Sequence, residues 1–434
     1  MTIRYVVARQ AGGSEATAQS NEVSRVRVRA LGRVAAAAAA TCLALGGGAG
    51  SASADRERDA QWPLIKYNAP QDVWPITKGG GVTIGLIDTG VLAAHQDLTG
   101  QILPGADFSG GSTDGRTDEI GHGTAMASLI VGHGHGPGRL DGVMGLAPEA
   151  KILPVKLRLA ADKLDFPPGE TRVADAIRYA VDHGAKVINM SIGGAQAHVS
   201  EVRSAVRYAV DHDVVLVAAT GNIGVDRVGY PAAFPGVIAV GAVDVDGKVW
   251  EKSDTGPEIT LVAPGVQIRD ASNADPSAYS TGSGTSDATA YVSAIAALVR
   301  SRYPDLSAGQ VVNRLIRSAV APPDGSRVPN DRYGYGIASP RRALTMEIPA
   351  GPKENPLLGR AEAQAPATVA AVPGGGDSAA GEAAGSAGGG GVPVWVVVLG
   401  AGVVVAVVLV VVVVVRRRRG GGYPPYQQSN PYQQ

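Results

Sequence analysis

The stretch Val82-Thr83-Ile84-Gly85-Leu86-Ile87-Asp88-Thr89-Gly90 decides the fold. A short apolar run without a polar face stops at an acidic residue and a turn. Such a strand is covered on both faces, as strands of a parallel sheet are. Working outward, the same kind of run recurs at 151–157, 186–190, 214–218 and 237–243. Between and after these lie segments with apolar residues at helical spacing, at 172–183 (Val173, Ile177, Ala180, Val181), 200–212, 285–302 and 307–320. Alternation of buried strands with amphipathic helices predicts an α/β fold with a mostly parallel central sheet and helices on both faces. In such sheets, sites form beyond the carboxyl ends of the strands. Asp88 stands at one such end, and Ser191 and Asn222 follow two others by a few residues.

The two ends of the chain carry address signals. Arg25, Arg27, Arg29 and Arg33 precede an apolar stretch from Val34 to Leu45, and Ala52-Ser53-Ala54 closes it. This is the layout of a secretory signal peptide, with cleavage expected after Ala54. Residues 394–415 are almost wholly Val, Leu, Ala and Gly. At about 1.5 Å per residue they would extend roughly 33 Å as a helix, enough to cross a hydrocarbon core of about 30 Å. Arg416 to Arg419 follow directly, and basic residues beside a span stay cytoplasmic. The expected layout is a signal region with its extension (1–54), an N-terminal extension (55–78), a globular body (79–348) and an Ala/Gly/Pro-rich linker (349–392). A transmembrane helix (393–415) and a cytoplasmic tail (416–434) complete it. That places the body outside a cell membrane as a single-pass protein.

Composition narrows the choices. Lys plus Arg and Asp plus Glu are each 39, so the net charge is zero, which argues against a nucleic-acid binder. The single cysteine, Cys42, lies in the expected signal segment, which excludes an internal disulfide and a multi-cysteine metal site.

Three short segments carry chemistry: Asp88-Thr89-Gly90, Gly121-His122-Gly123-Thr124 and Gly282-Ser283-Gly284-Thr285-Ser286. Alone, each fits a plainer role as a strand-ending turn, a helix start or an N-cap. Together they supply the three residue types that acyl transfer requires: a nucleophile, a base and a carboxylate that orients the base. Ser286 at a helix N-terminus gains from backbone N–H groups that favour negative charge. Asn222, in Ala219-Thr220-Gly221-Asn222, is the candidate side-chain donor to an oxyanion. His133-Gly134-His135 sits in a glycine-rich loop without nearby carboxylates and is set aside as a metal site.

The order Asp, His, Ser and these local sequences resemble the subtilisin-like serine proteases. The resemblance also includes His95-Gln96-Asp97-Leu98, Gly145-Leu146-Ala147-Pro148, Val187 through Gly194, Tyr230-Pro231-Ala232, Ala239-Val240-Gly241-Ala242 and Ala263-Pro264-Gly265. It implies that Asp88, His122 and Ser286 form a charge-relay triad and that Asn222 with the Ser286 N–H forms the oxyanion hole. It also implies that Ser191, Ile192 and Gly193 line the bed of a bound peptide, paired as an added strand. The layout of signal, body, tether and span resembles the mycosins, membrane-anchored subtilases associated with type VII secretion. The segments Gln61-Trp62-Pro63-Leu64 and Gln71-Asp72-Val73-Trp74 are similar to that group's mature start. The resemblance implies polypeptide substrates, a secretion complex as partner and no cofactor, with a structural calcium left open. Two departures stand out: Asp287 after the nucleophile, where the family has an apolar residue, and Ala290 in place of its usual proline. With residues about 100° apart around a helix, Asp287 is expected to point off the reaction axis and to complement the helix's positive end. A scaffolding or binding role in a secretion complex, with proteolysis secondary, is the alternative function class.

Overall fold

The computed structural model describes residues 57–158, 172–193 and 199–359. The expected signal region, the span at 394–415 and the tail lie outside the described residues, as does Gly194. Among the described residues no helix is long and apolar enough to cross a membrane.

The first strand of the sheet is β1 (Thr83–Asp88). A short strand β2 (Ala106–Asp107), the hairpin strands β3 (His133–His135) and β4 (Asp141–Met144), and β5 (Lys151–Lys156) follow. Next come β6 (Val187–Met190), β7 (Val215–Ala219), β8 (Val237–Val243) and β9 (Ile259–Pro264), then the hairpin β10 (Ile268–Ala271) and β11 (Tyr279–Gly282). Seven strands form one sheet in the order β2-β5-β1-β6-β7-β8-β9, every pair parallel. The chain leaves β1 first for β2 and β5 on one side and then for β6 on the other. The order thus reverses around β1, and a crevice opens beyond its carboxyl end.

The helices are α1 (Trp62–Lys66), α2 (His122–Val131), α3 (Arg172–Asp182), α4 (Val199–Asp211), α5 (Thr285–Arg302), α6 (Ala308–Arg317) and α7 (Pro340–Thr345). Gly85 of β1 lies against Ala180 of α3, and its register partner Ile188 shares that face. The next residue, Asn189, therefore faces the other way, where its Nδ2 donates to Ser293 Oγ of α5 at 2.9 Å. Helices thus cover both faces. Every α5 residue from Thr285 to Arg300 is buried, so this helix is the centre of its layer rather than an amphipathic surface element.

Three features differ from the sequence reading. The His133-Gly134-His135 loop is a strand of the β3–β4 hairpin, and β9 completes the sheet at its far edge. β3 is short and has the composition of a loop, whereas β9 is as long as β1 and buried throughout. The linker also begins later than residue 349. Gln310 Nε2 donates to Gly351 O at 2.9 Å, Asn355 Nδ2 donates to Gly236 O at 2.8 Å, and Leu357 is buried. The Ala/Gly/Pro bias of the segment as a whole masked one apolar pair, Leu357-Leu358, that finds the body. The N-terminal extension is pinned in the same way. Gln61 bonds both backbone groups of Met144 at 2.8 Å, and the Trp62 and Trp74 indoles donate to Val266 O and Leu146 O at 3.0 Å.

Candidate active site

Asp88 is the last residue of β1, and its carboxylate is buried. Oδ1 accepts from the Thr89 N–H and lies 2.7 Å from His122 Nδ1. His122 opens α2, which sits close on the β1 turn. A Cβ on Gly123 would come within 2.0 Å of Gly90 O, so only glycine lets the helix approach this far. Burial works to lower the His122 pKa. The Asp88 charge and hydrogen bond outweigh it, with Asp287 and Asp118 adding, and the imidazole stays above its ordinary value.

Ser286 lies one residue inside the start of α5, where its N–H has no intrahelical acceptor. Its Oγ donates to Ser191 O at 3.1 Å. Ser191, just past β6, returns the contact through its own Oγ, 3.0 Å from Ser286 O and 2.9 Å from Asn189 Oδ1. Ser191 and Ile192 are buried, and Gly193 is half-buried. Asn222 is held by its carbonyl oxygen: Oδ1 accepts from Thr285 N at 2.8 Å and from Thr285 Oγ1 at 3.0 Å. Its Nδ2 is left facing a cleft of about 350 Å³ that His122, Asn222, Ser286 and Asp287 line together.

The fold thus brings Asp88, His122, Ser286 and Asn222 to one end of the sheet, with Ser191 beneath Ser286. Asp287 corrects its expectation. Its side chain lines the cleft instead of turning away. Helical side chains lean toward the N-terminus, and Gly284 leaves room there. Asp287 Oδ2 and Asn222 Nδ2 lie 3.4 and 3.5 Å from the one point where a Gly284 Cβ would stand. Nor does it carry full charge to the helix end, because burial first, and then Asp270, push its carboxyl up to about 8.

Two organising carboxylates escaped the sequence reading. Asp118 Oδ1 accepts from Thr89 Oγ1 at 2.9 Å and Gly121 N at 2.8 Å, and Oδ2 accepts from Thr124 N at 2.9 Å and Thr124 Oγ1 at 2.6 Å. It ties the Asp88 turn to the head of α2. An Asp shortly ahead of a helix start was the available signal. Asp254 Oδ1 accepts from Ile223 N and Val225 N at 3.0 and 3.1 Å and so shapes the loop that carries Asn222. No local pattern marks it. His133 and His135 serve structure: His133 Nε2 is 2.8 Å from Thr99 O, and His135 Nδ1 is 2.7 Å from Asp97 Oδ1. Among the described residues, no three His, Cys, Asp or Glu side chains converge in the way a metal site requires.

A parallel sheet reversing at β1, with Asp, His and Ser at its carboxyl end, defines a class, and the comparisons agree. Residues 79–336, more than half of the chain, match the Subtilase family, and the chain belongs to it as a serine endopeptidase. Subtilisin DY of Bacillus licheniformis is 37% identical over 246 residues, 56% of this chain and 85% of that protein. Within the family the chain is mycosin-like. Mycosin-3 of Mycobacterium tuberculosis is 33% identical over 342 residues, 64% of this chain and 70% of that one. The solved structure of the MycP3 protease from the type VII (ESX-3) secretion system is 34% identical with a TM-score of 0.58, covering 66% of this chain and 88% of that one. That of MycP1 from Mycobacterium smegmatis is 29% identical with a TM-score of 0.58, covering 68% of this chain and 87% of that one.

Proposed function

We propose that the chain is a membrane-anchored, extracytoplasmic endopeptidase that works through Asp88, His122 and Ser286. The observation that carries this reading is the Asp88 Oδ1–His122 Nδ1 contact of 2.7 Å, with His122 sharing one cleft with Ser286 and Asn222. Asp88 holds the Nδ1 tautomer, so that Nε2 is the basic nitrogen. A rotation about χ1 takes Ser286 Oγ from Ser191 O to His122 Nε2; catalytic hydrogen bonds commonly tighten only when substrate binds. Oγ then attacks the peptide carbonyl carbon while Nε2 takes its proton. The Asn222 Nδ2 and Ser286 N–H groups receive the oxyanion. As the C–N bond breaks, Nε2 returns the proton to the leaving nitrogen, and water repeats the sequence on the acyl-enzyme. This chemistry requires no metal or cofactor. Ser191, Ile192 and Gly193 form the backbone bed for a peptide substrate.

Residues 394–415 and the four arginines after them support a single membrane span with the tail inside. Likeness to proteins of type VII secretion supports a place beside such a secretion complex. A fluorophosphonate probe should label Ser286 covalently in the folded protein, and peptide mapping should find the adduct there. A folded, unlabelled protein would leave only the scaffolding role. In wall-stripped cells, an added protease should release the body by cutting between residues 360 and 392, while a tag after Gln434 stays protected. The reverse pattern would invert the topology.

A further inference from the structure

The cleft beside Ser286 has a chemical character of its own. Its floor and walls include His122 and Met126 at the head of α2, Asp270 and Ser280 on the β10–β11 hairpin, and Asp287. Among the described residues, no lysine or arginine lines it. Asp270 is 3% exposed and, among the described residues, accepts one hydrogen bond, from Ser280 Oγ at 2.5 Å. Asp287 is 4% exposed, faces the cleft, and receives no hydrogen bond from any described residue other than its own backbone N–H. Carboxyls so far removed from water are costly to ionise: His122 is the positive group acting on Asp287, and Arg269 and His122 act on Asp270, yet burial outweighs them, and a further cation in the cleft would favour the charged forms. Ser191, Ile192 and Gly193 do not line this cleft. It runs from His122, the group that hands a proton to the leaving nitrogen, so it lies on the side taken by the chain after the scissile bond.

We propose that this cleft is a subsite for a lysine or arginine side chain on the residue immediately after the scissile bond, with Asp287 and Asp270 as its carboxylate partners. The proposal rests on the triad reading above. A volume of about 350 Å³ admits one long side chain, and the aliphatic stem passes Met126 while the charged head meets the carboxylates.

The electrostatics give the site a signature. Burial, then Asp270, push Asp287 up to about 8, and burial pushes Asp270 up to about 6. The titratable groups facing Asp287 are Asp270 from β10, His122 from α2 and Tyr291 from its own helix. A substrate lysine keeps its charge throughout the range. Preference for it therefore grows as pH rises and Asp287 ionises, whereas titration of His122 affects every peptide alike and cancels in a ratio.

The test is a set of internally quenched peptides identical except at the residue after the scissile bond, carrying lysine, arginine, norleucine or glutamate there. Mass spectrometry confirms the cleavage position. At pH 8.5 the lysine peptide should exceed its uncharged isostere norleucine by about tenfold in kcat/KM, mostly through KM, with glutamate below both. The ratio should fall toward pH 6. Asp287→Asn should bring the ratio within about twofold of one and flatten its pH dependence; Asp270→Asn should do so in part. A wild-type ratio near one overturns the proposal, and so does a ratio that survives unchanged in both variants. The wild-type ratio decides even if a variant fails to fold. Absence of turnover on any peptide by folded wild-type protein overturns the triad reading and this proposal with it, whereas turnover without a lysine preference overturns this proposal alone.

Discussion

Two aspartate–histidine pairs in this molecule have the same bond length and opposite purposes. Asp88 and His122 meet at 2.7 Å, and so do Asp97 and His135. Both aspartates are fully buried. The difference lies in what else each carboxylate holds. Asp97 is saturated: Oδ1 takes His135, and Oδ2 takes Tyr279 OH at 2.8 Å and Val143 N at 2.9 Å. It clamps the β3–β4 hairpin to β11 and to the turn around His95. Asp88 Oδ1 takes His122 and the Thr89 N–H, whereas Oδ2 is buried without a partner among the described residues. His122 faces the cleft with Ser286. A pair that satisfies its surroundings is a staple; in the proposed mechanism, a pair whose imidazole shares a cleft with Ser286 is machinery.

The comparison can be broken most forcefully at Ser286. Ser286→Ala should lower peptide hydrolysis by about 10⁶-fold, the scale for removing one member of a unit that acts together. Thermal unfolding should stay where it was, as read by circular dichroism. Full turnover in this variant would end the protease mechanism.

The two aspartates should then part company. Asp88→Asn should cost about 10⁴-fold in kcat, because the amide supports the wrong tautomer, with a small change in Tm. Asp97→Asn should change kcat/KM by less than tenfold. It should cost about 3 kcal/mol of stability, typical of breaking a buried charged hydrogen-bond cluster, seen in denaturant titrations. Equal effects on activity from both substitutions would dissolve the distinction.

Asn222→Ala should leave probe labelling of Ser286 intact and lower kcat by roughly 10²–10³-fold, the usual loss for one oxyanion donor. The pH profile is a finer test. The His122 pKa lies above its ordinary value of 6.5. A raised folded-state value means that the pair stabilises the fold fully below about 6.5, and that this contribution fades as pH rises through the folded pKa. Catalysis needs the other form, so the acid limb of kcat/KM should have its midpoint above 6.5. Asp88→Asn should shift that midpoint downward.

The smallest effect concerns the boundary of the body. A chain ending at residue 348 loses the burial of Leu357 and the bonds of Gly351 and Asn355 that a chain ending at 359 keeps. Burying one leucine stabilises by about 1.5–3 kcal/mol. For a domain of this size the shorter chain should melt several degrees lower.

Much of this was legible in the sequence because it is local. Buried strands such as 237–243 are uniformly apolar, and the α5 range 285–302 follows from uninterrupted helix-compatible residues. Asp88, His122, Ser286 and Asn222 stand within two residues of glycines whose turns mark strand ends and helix starts. What the sequence could not determine is what distant segments do to one another. Asp254 shapes the Asn222 loop from 32 residues away only because β7, β8 and the turn after them bring it there. β3 reads as a loop because its pairing comes from Asp97, Tyr279 and β4 rather than from its own composition. Asp287 was expected to follow helix periodicity. Its direction was decided by the space over Gly284, and its protonation by burial beside Asp270. Local propensity depends on a residue and its neighbours along the chain. Burial and charge depend on every atom the fold packs around it, and those are settled only by the tertiary structure.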